Sequence, residues 1–379
     1  MVARPTEVKK NRMIDQITTF LAKPTFHILE AVQLQGAFIS ICETNRAGRP
    51  LFFNIQNAIR QAIRTKYHSI KGYHARKLTS FKQSYPHKAT ARILKQVSKL
   101  IHREVAQMIY ATNTRIVNTP WIKETLRAML TALQSTTQPW EISIGHIVPR
   151  DSQFLGNGDA STYGTAAYSP ELKCFFIYRW GPDISARLSL PPSHKNFTHI
   201  NYLEYLTSIL LLSMMIQRLE NHASNPDPNL PSPHSIPAIP MATIESDNMT
   251  SESWTGSISS KSRIGQQLVT IQAALMQRSN LGIKTKWLST HDNKQSDYLS
   301  RLAEHTPPTH PFPLPISQVF QRYPQMQHWH FFHPVPALLQ LSIAKLSSNA
   351  PLEIPQLPKH LGHFELISST SPNISTPTI

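Results

Sequence analysis

Phe154-Leu155-Gly156-Asn157-Gly158-Asp159-Ala160 is the first β-prone segment after the apolar pattern of this chain changes period beyond Gln138-Pro139, and its reading decides the fold class. Two further short β-prone segments follow, Gly164 to Tyr168 and Cys174 to Trp180. Small and turn-forming residues separate them, and Ser169-Pro170-Glu171 reads as a hairpin turn. Downstream, the spacing predicts a helix from about Ile200 to Asn221, a buried strand over Ala242 to Asp247 and an amphipathic helix over Ser262 to Gln277. A strand over Ile283 to Ser289 and a helix over Asn293 to Leu302 complete the run. The order β-β-β-α-β-α-β-α predicts an α/β fold with a mixed sheet flanked by helices. Between them, the proline-rich stretch 222–240 has little periodicity and reads as a loop or linker inserted in the domain.

Upstream, residues 1–150 read as a separate helical region. Thr6 is placed to cap a helix carrying Val8, Ile14, Ile17 and Leu21 on one face. Further apolar-periodic stretches run from about Phe26 to Ile41 and from Leu51 to Ile63. Ile93, Val97, Ile101, Val105 and Met108 step by four or three, and Thr119-Pro120 has the form of a cap followed by proline in the first helical turn. This region also holds the charge. The whole chain carries a formal net charge of +16, and residues 1–150 contain 23 Lys/Arg against 7 Asp/Glu, whereas the remainder is balanced at 15 against 15. No carboxylate lies between Glu43 and Glu104, while Arg60, Arg64, Lys66, Lys71, Arg76, Lys77, Lys82 and Lys88 all do. A one-sign surface of this kind attracts a polyanion, and nucleic acid is the commonest; an acidic protein or membrane partner is the alternative.

The second half carries four carboxylates in suggestive settings: Asp159 on the first strand, Glu204 on the following helix, Asp247 at the end of the fourth strand and Asp297 in the last helix. Hydrolysis of a phosphodiester needs an activated water and a sink for charge on the leaving oxygen. Two divalent ions roughly 4 Å apart supply both, and holding them requires several carboxylate oxygens at one point. Without the ions such a cluster is costly, because like charges brought together repel. Each segment alone has a plainer reading, as a turn residue, a solvated helix face or a helix cap, but together and in order they are informative.

The most specific stretch is His291-Asp292-Asn293-Lys294-Gln295-Ser296-Asp297-Tyr298-Leu299-Ser300-Arg301, preceded by Trp287-Leu288. It resembles the N-x-x-A-D-x-L-S-R ending of the ribonuclease H domain in gypsy-like and tyrosine-recombinase retroelement reverse transcriptases. Asp247-Asn248-Met249-Thr250 resembles the family's S-D-N-T segment, and Leu34-Gln35-Gly36 with Gly48-Arg49-Pro50-Leu51 is similar to its thumb and connection region. The likeness spans roughly residues 5–305, more tightly from 155 to 302.

The resemblance implies a ribonuclease H-like fold over 151–305 and a thumb- or connection-like region over 1–150. It implies hydrolysis of the RNA strand of an RNA–DNA hybrid by two Mg²⁺ ions, or Mn²⁺, held by Asp159, Glu204, Asp247 and Asp297. His291 takes the place of a family histidine that assists proton movement and product release, and Asn248 a nucleic-acid contact. The polymerase palm is absent and no adjacent aspartate pair occurs, so polymerisation is not expected and a separate polymerase subunit of the same element is an implied partner. The rival expectation is a catalytically inactive remnant that only binds nucleic acid.

The rest of the chain bounds these readings. No run of 18 or more apolar residues exists, and the two cysteines, Cys42 and Cys174, read as reduced buried thiols of a cytoplasmic or nuclear protein. Residues 306–379 read as a Pro- and His-rich extension, partly disordered, with one short helix over Pro336 to Leu346. His328, His330 and His333, interleaved with Trp329, Phe331 and Phe332, read as a packed aromatic segment rather than a zinc site.

Overall fold

A computed structural model describes residues 2–42, 46–88, 90–111, 113–135, 142–143, 150–194, 197–260, 262–302, 304, 316–347 and 352–367. The chain divides into two compact units, one of residues 1–3 with 142 onward, the other of residues 4–141. Val2–Ala3 (β1) and Ile142–Ser143 (β4) pair antiparallel within the first of these.

The unit of residues 4–141 is helical. Thr6 caps Glu7–Ala22 (α1), its side chain accepting from the Lys9 N–H at 3.3 Å. The buried face is Met13, Ile17 and Phe20, while Val8 is 79% exposed, so the face is rotated from the one expected. The larger aromatic decides it: Phe20 packs against Phe26 at 5.0 Å. Phe26 lies on Thr25–His27 (β2), which pairs antiparallel with Arg115–Val117 (β3). Asn118 locks the corner, its Nδ2 donating to the carbonyls of Phe20 and Lys23 at 2.8 and 2.9 Å. Ile28–Cys42 (α2) follows β2, and Phe53–Ser84 (α3) runs 32 residues, well past the expected stretch, because no proline interrupts it before Pro86. Of the apolar stripe on Ala91–Ala111 (α4), Ile101 and Val105 are buried and Met108 is 40% exposed. Pro120–Gln134 (α5) begins as expected, with Thr119 accepting from the Ile122 N–H and proline in the first turn.

The other unit is a mixed α/β layer structure around a seven-stranded sheet whose strands lie in the order 362–366 (β11), 330–334 (β10), 174–179 (β7), 164–169 (β6), 154–160 (β5), 241–246 (β8) and 282–287 (β9). Phe154–Ala160 (β5), Gly164–Ser169 (β6) and Cys174–Arg179 (β7) form the antiparallel run read from sequence. A short helix, Pro182–Leu188 (α6), precedes the long Ile200–Ser224 (α7). Met241–Ser246 (β8) then pairs parallel with β5, and Gly282–Trp287 (β9) parallel with β8. Met249–Ser257 (α8) and Arg263–Arg278 (α9) lie between them in sequence, and Lys294–Ser300 (α10) follows β9. Helix α7 is buried on nearly every side from Leu203 to Arg218, as its all-round apolar sequence requires.

One expectation is corrected. The chain after residue 305 is not an appendage to the sheet unit. Ile316–Arg322 (α11), His330–Pro334 (β10), Pro336–Lys345 (α12) and Gly362–Leu366 (β11) belong to that unit, and β10 pairs parallel with β7 while β11 pairs antiparallel with β10. Burial of Phe331 and Phe332 drives this, with Phe331 edge-on to Phe175 at 5.2 Å; His330 meets Asp227 and His333 meets Glu365. The stretches 305–315 and 368–379 lie outside the described residues. The proline-rich insert is irregular beyond Ser224, as a loop should be, and is tied to the end of α7. Arg218 pairs with Asp227, the Asp227 N–H donates to His222 Nδ1 at 2.9 Å, and His222 Nε2 lies 2.8 Å from the Pro231 carbonyl. Among the described residues no helix is long and apolar enough to cross a membrane.

Candidate metal centre

The glycines of the opening segment set up the site. A Cβ at Gly156 would stand 2.9 Å from Met215 Sδ, and one at Gly158 2.9 Å from Thr207 Cγ2, so α7 lies directly on the backbone of β5. Side chains alternate along a strand, which places Asn157 and Asp159 on the opposite face. There α10 meets them. Ser300 Oγ donates to Asp159 Oδ2 at 2.5 Å, Asn293 Nδ2 donates to Asp159 Oδ1 at 3.2 Å, and Ser296 Oγ donates to Asn157. Glu204, in the second turn of α7, comes to the end of β5, where its Oε2 accepts from the Ala160 N–H at 3.3 Å. Asp247 is the residue just past β8, whose parallel pairing with β5 brings their carboxyl ends together.

The result is convergence. Carboxylate oxygens of Asp159, Glu204 and Asp247 lie within 4.8 Å of one another, with the first two side chains buried and the third half-buried. Burial pushes the Asp159 carboxyl up to about 6, against the opposing Ser300 hydrogen bond, and the charges of Asp247 and Asp297 push in the same direction. Glu204 is pushed well above the ordinary carboxylate range, first by burial and then by Asp159 and Asp247, with the Ala160 N–H opposing. Oxygen donors this close, two of them buried, fit a hard divalent cation, whose charge would remove the repulsion. The triad could hold a metal ion.

The remaining expected residues fall elsewhere. Asp297 stands outside the 4.8 Å group, and its Oδ1 accepts from Arg301 Nε at 2.7 Å, although its charge is felt at Asp159 and Glu204. His291 is 82% exposed, with Nδ1 3.7 Å from Asp292, and does not join the cluster. Asn248 is the cap of α8: its Oδ1 accepts from the Thr250 and Ser251 N–H groups at 3.0 Å, and its Nδ2 donates to Asn201. In the helical unit Arg64, Lys66, Arg76, Lys77, Lys82 and Lys88 are exposed and Arg60 partly so, while the Lys71 side chain lies outside the described residues. Lys77 pairs with Glu104 at 3.5 Å, and Arg60 donates to Asn57 at 3.4 Å.

The residues that position Asp159 carry their own signals. Asn293 and Ser300, seven apart, share a helix face, and Asn157 precedes Asp159 by the two residues of a strand repeat.

No protein-family model, no curated protein and no solved structure matches the chain.

Proposed function

We propose that the chain is a ribonuclease H-type endonuclease, akin to the ribonuclease H domain of retroelement reverse transcriptases, that hydrolyses the RNA strand of RNA–DNA hybrids. The observation that carries this reading is the meeting of Asp159, Glu204 and Asp247 from β5, α7 and the end of β8, in the order and settings of that family. Mg²⁺ or Mn²⁺ held there, with Asp297 at the margin, would supply an activated water and charge neutralisation for the departing 3′ oxygen. The chain's own groups hold the site: Ser300 and Asn293 fix both oxygens of Asp159, and the Ala160 N–H fixes Glu204. The exposed cations from Arg64 to Lys88 would contact phosphates without reading sequence, and RNA would be told from DNA through its 2′-hydroxyls.

One observation favours a second reading. Both oxygens of Asp159 are already engaged by protein donors, an arrangement a catalytically inactive nucleic-acid-binding protein would also tolerate. A labelled RNA–DNA hybrid with Mg²⁺ decides between them. Hybrid-specific RNA cutting, abolished in Asp159→Asn, supports the nuclease. Equal binding without cutting in both proteins supports the binding module.

A further inference from the structure

Trp287 ends β9 in register with Ser246, so it stands beside Asp247. Its indole Nε1 donates to the Asp247 carbonyl at 2.9 Å, while the side chain is 51% exposed. A tryptophan gains most from burial, and its N–H normally finds a partner when the ring goes inside. Here the polar atom is satisfied and the ring is held in one orientation, yet much of its surface is left to solvent. Met249, two residues after Asp247, is 72% exposed. The described large apolar side chains exposed in the sheet unit are Tyr163, Met249, Trp287 and Leu366, so two of the four adjoin one residue of the triad, Trp287 through its hydrogen bond and Met249 along the chain. On the same strand end Lys286 is 60% exposed with Nζ 2.7 Å from Glu245, which precedes Asp247 by two.

An exposed apolar ring anchored to the backbone of one residue of an acidic cluster has a specific chemical complement. The ligand must present a group that a cation on the carboxylates can hold, joined to an apolar face. A sugar–phosphate strand does this, with its phosphate at the cluster and a sugar or base against the ring. We propose that Trp287 is a substrate-positioning residue whose indole packs against the nucleic-acid strand crossing Asp159, Glu204 and Asp247. This rests on the nuclease reading for its substrate.

Binding and cleavage separate the two. Anisotropy of a labelled RNA–DNA hybrid would be followed on an Asp159→Asn background, with and without Trp287→Ala or Trp287→Phe. Cleavage kinetics would be followed for the same Trp287 substitutions in the otherwise unaltered chain with Mg²⁺. Loss of one aromatic stacking partner predicts that Trp287→Ala weakens hybrid binding and raises KM by about 10-fold, with kcat within about threefold of the parent and the phenyl ring restoring most of the loss. Unchanged binding and KM in Trp287→Ala would overturn the proposal. Equal damage from Ala and Phe, accompanied by a lower Tm, would also overturn it, because that is the signature of a ring that merely props up Asp247. Failure of the parent to cut RNA would sink the nuclease reading alone, leaving the binding series to judge Trp287.

Discussion

The two units handle charge in opposite ways. Residues 4–141 carry 22 basic side chains against 7 acidic ones, and the described cations from Arg64 to Lys88 lie in solvent along α3 and just beyond it. The sheet unit is nearly balanced, but it takes carboxylates out of water and crowds them, with Asp159 and Glu204 only 4% and 6% exposed. Exposed like charges are screened and cost little, so they can accumulate without precise geometry. Buried like charges are tolerated only where every surrounding element is placed for them. One unit therefore spreads its charge over an exposed surface, and the other gathers it at one point.

The sharpest way to break this contrast is ionic strength. If the cations act as a phosphate-binding surface, raising salt from 50 to 200 mM should weaken hybrid binding by about 10³-fold, the loss expected for about six phosphate contacts. A flat response measured by anisotropy would remove the helical unit from the interface. Next in size is Glu204→Gln, which keeps shape but removes one charge of the triad. Cleavage should fall on the order of 10²–10³-fold with hybrid affinity within about twofold, because the effect belongs to the point site alone.

Stability in the absence of divalent ions gives a third test. The Asp159 carboxyl, at about 6, sits above its ordinary value, so the folded chain holds a proton that the unfolded chain releases. Below about pH 4 both states are protonated and the group contributes nothing; as pH rises from about 4 to 6 stability falls, and above that the full penalty remains. Asp159→Asn should therefore stabilise the metal-free protein by about 3 kcal/mol at pH 8 and make little difference at pH 4, as read by urea unfolding. Adding Mg²⁺ should raise the Tm of the parent and not of the variant. The smallest effect lies in the other unit. Asn118→Ala frees the Phe20 and Lys23 carbonyls and should cost about 1 kcal/mol, with no dependence on metal.

Legibility did not follow that divide. The strands and the longer helices from Phe154 to Ser300 could be read because period and turn residues agree there, as could the Thr119 cap of α5, whereas the short α6 and α8 are not in the order read from sequence. The convergence of Asp159, Glu204 and Asp247 depends on Gly156 and Gly158 letting α7 lie against β5, a close approach that apolar patterning does not encode. His291 and Asn248 were placed by family likeness; locally, solvent claims the first and a helix cap the second. The face of α1 turned because Phe20 found Phe26, a tertiary partner invisible to periodicity. The strands after residue 316 were missed for a related reason, since their short histidine- and proline-flanked segments are held by long-range pairing with β7.

That pairing has a consequence for synthesis. Cys174 and Phe175 of β7 find their parallel partners at His330 and Phe331, more than 150 residues later. While the ribosome makes everything in between, one side of β7 presents unpaired backbone groups beside buried-type aromatics, the kind of edge that recruits other nascent chains. Molecules interrupted before residue 330 would hold the whole carboxylate cluster and still lack the strand that keeps them apart from one another.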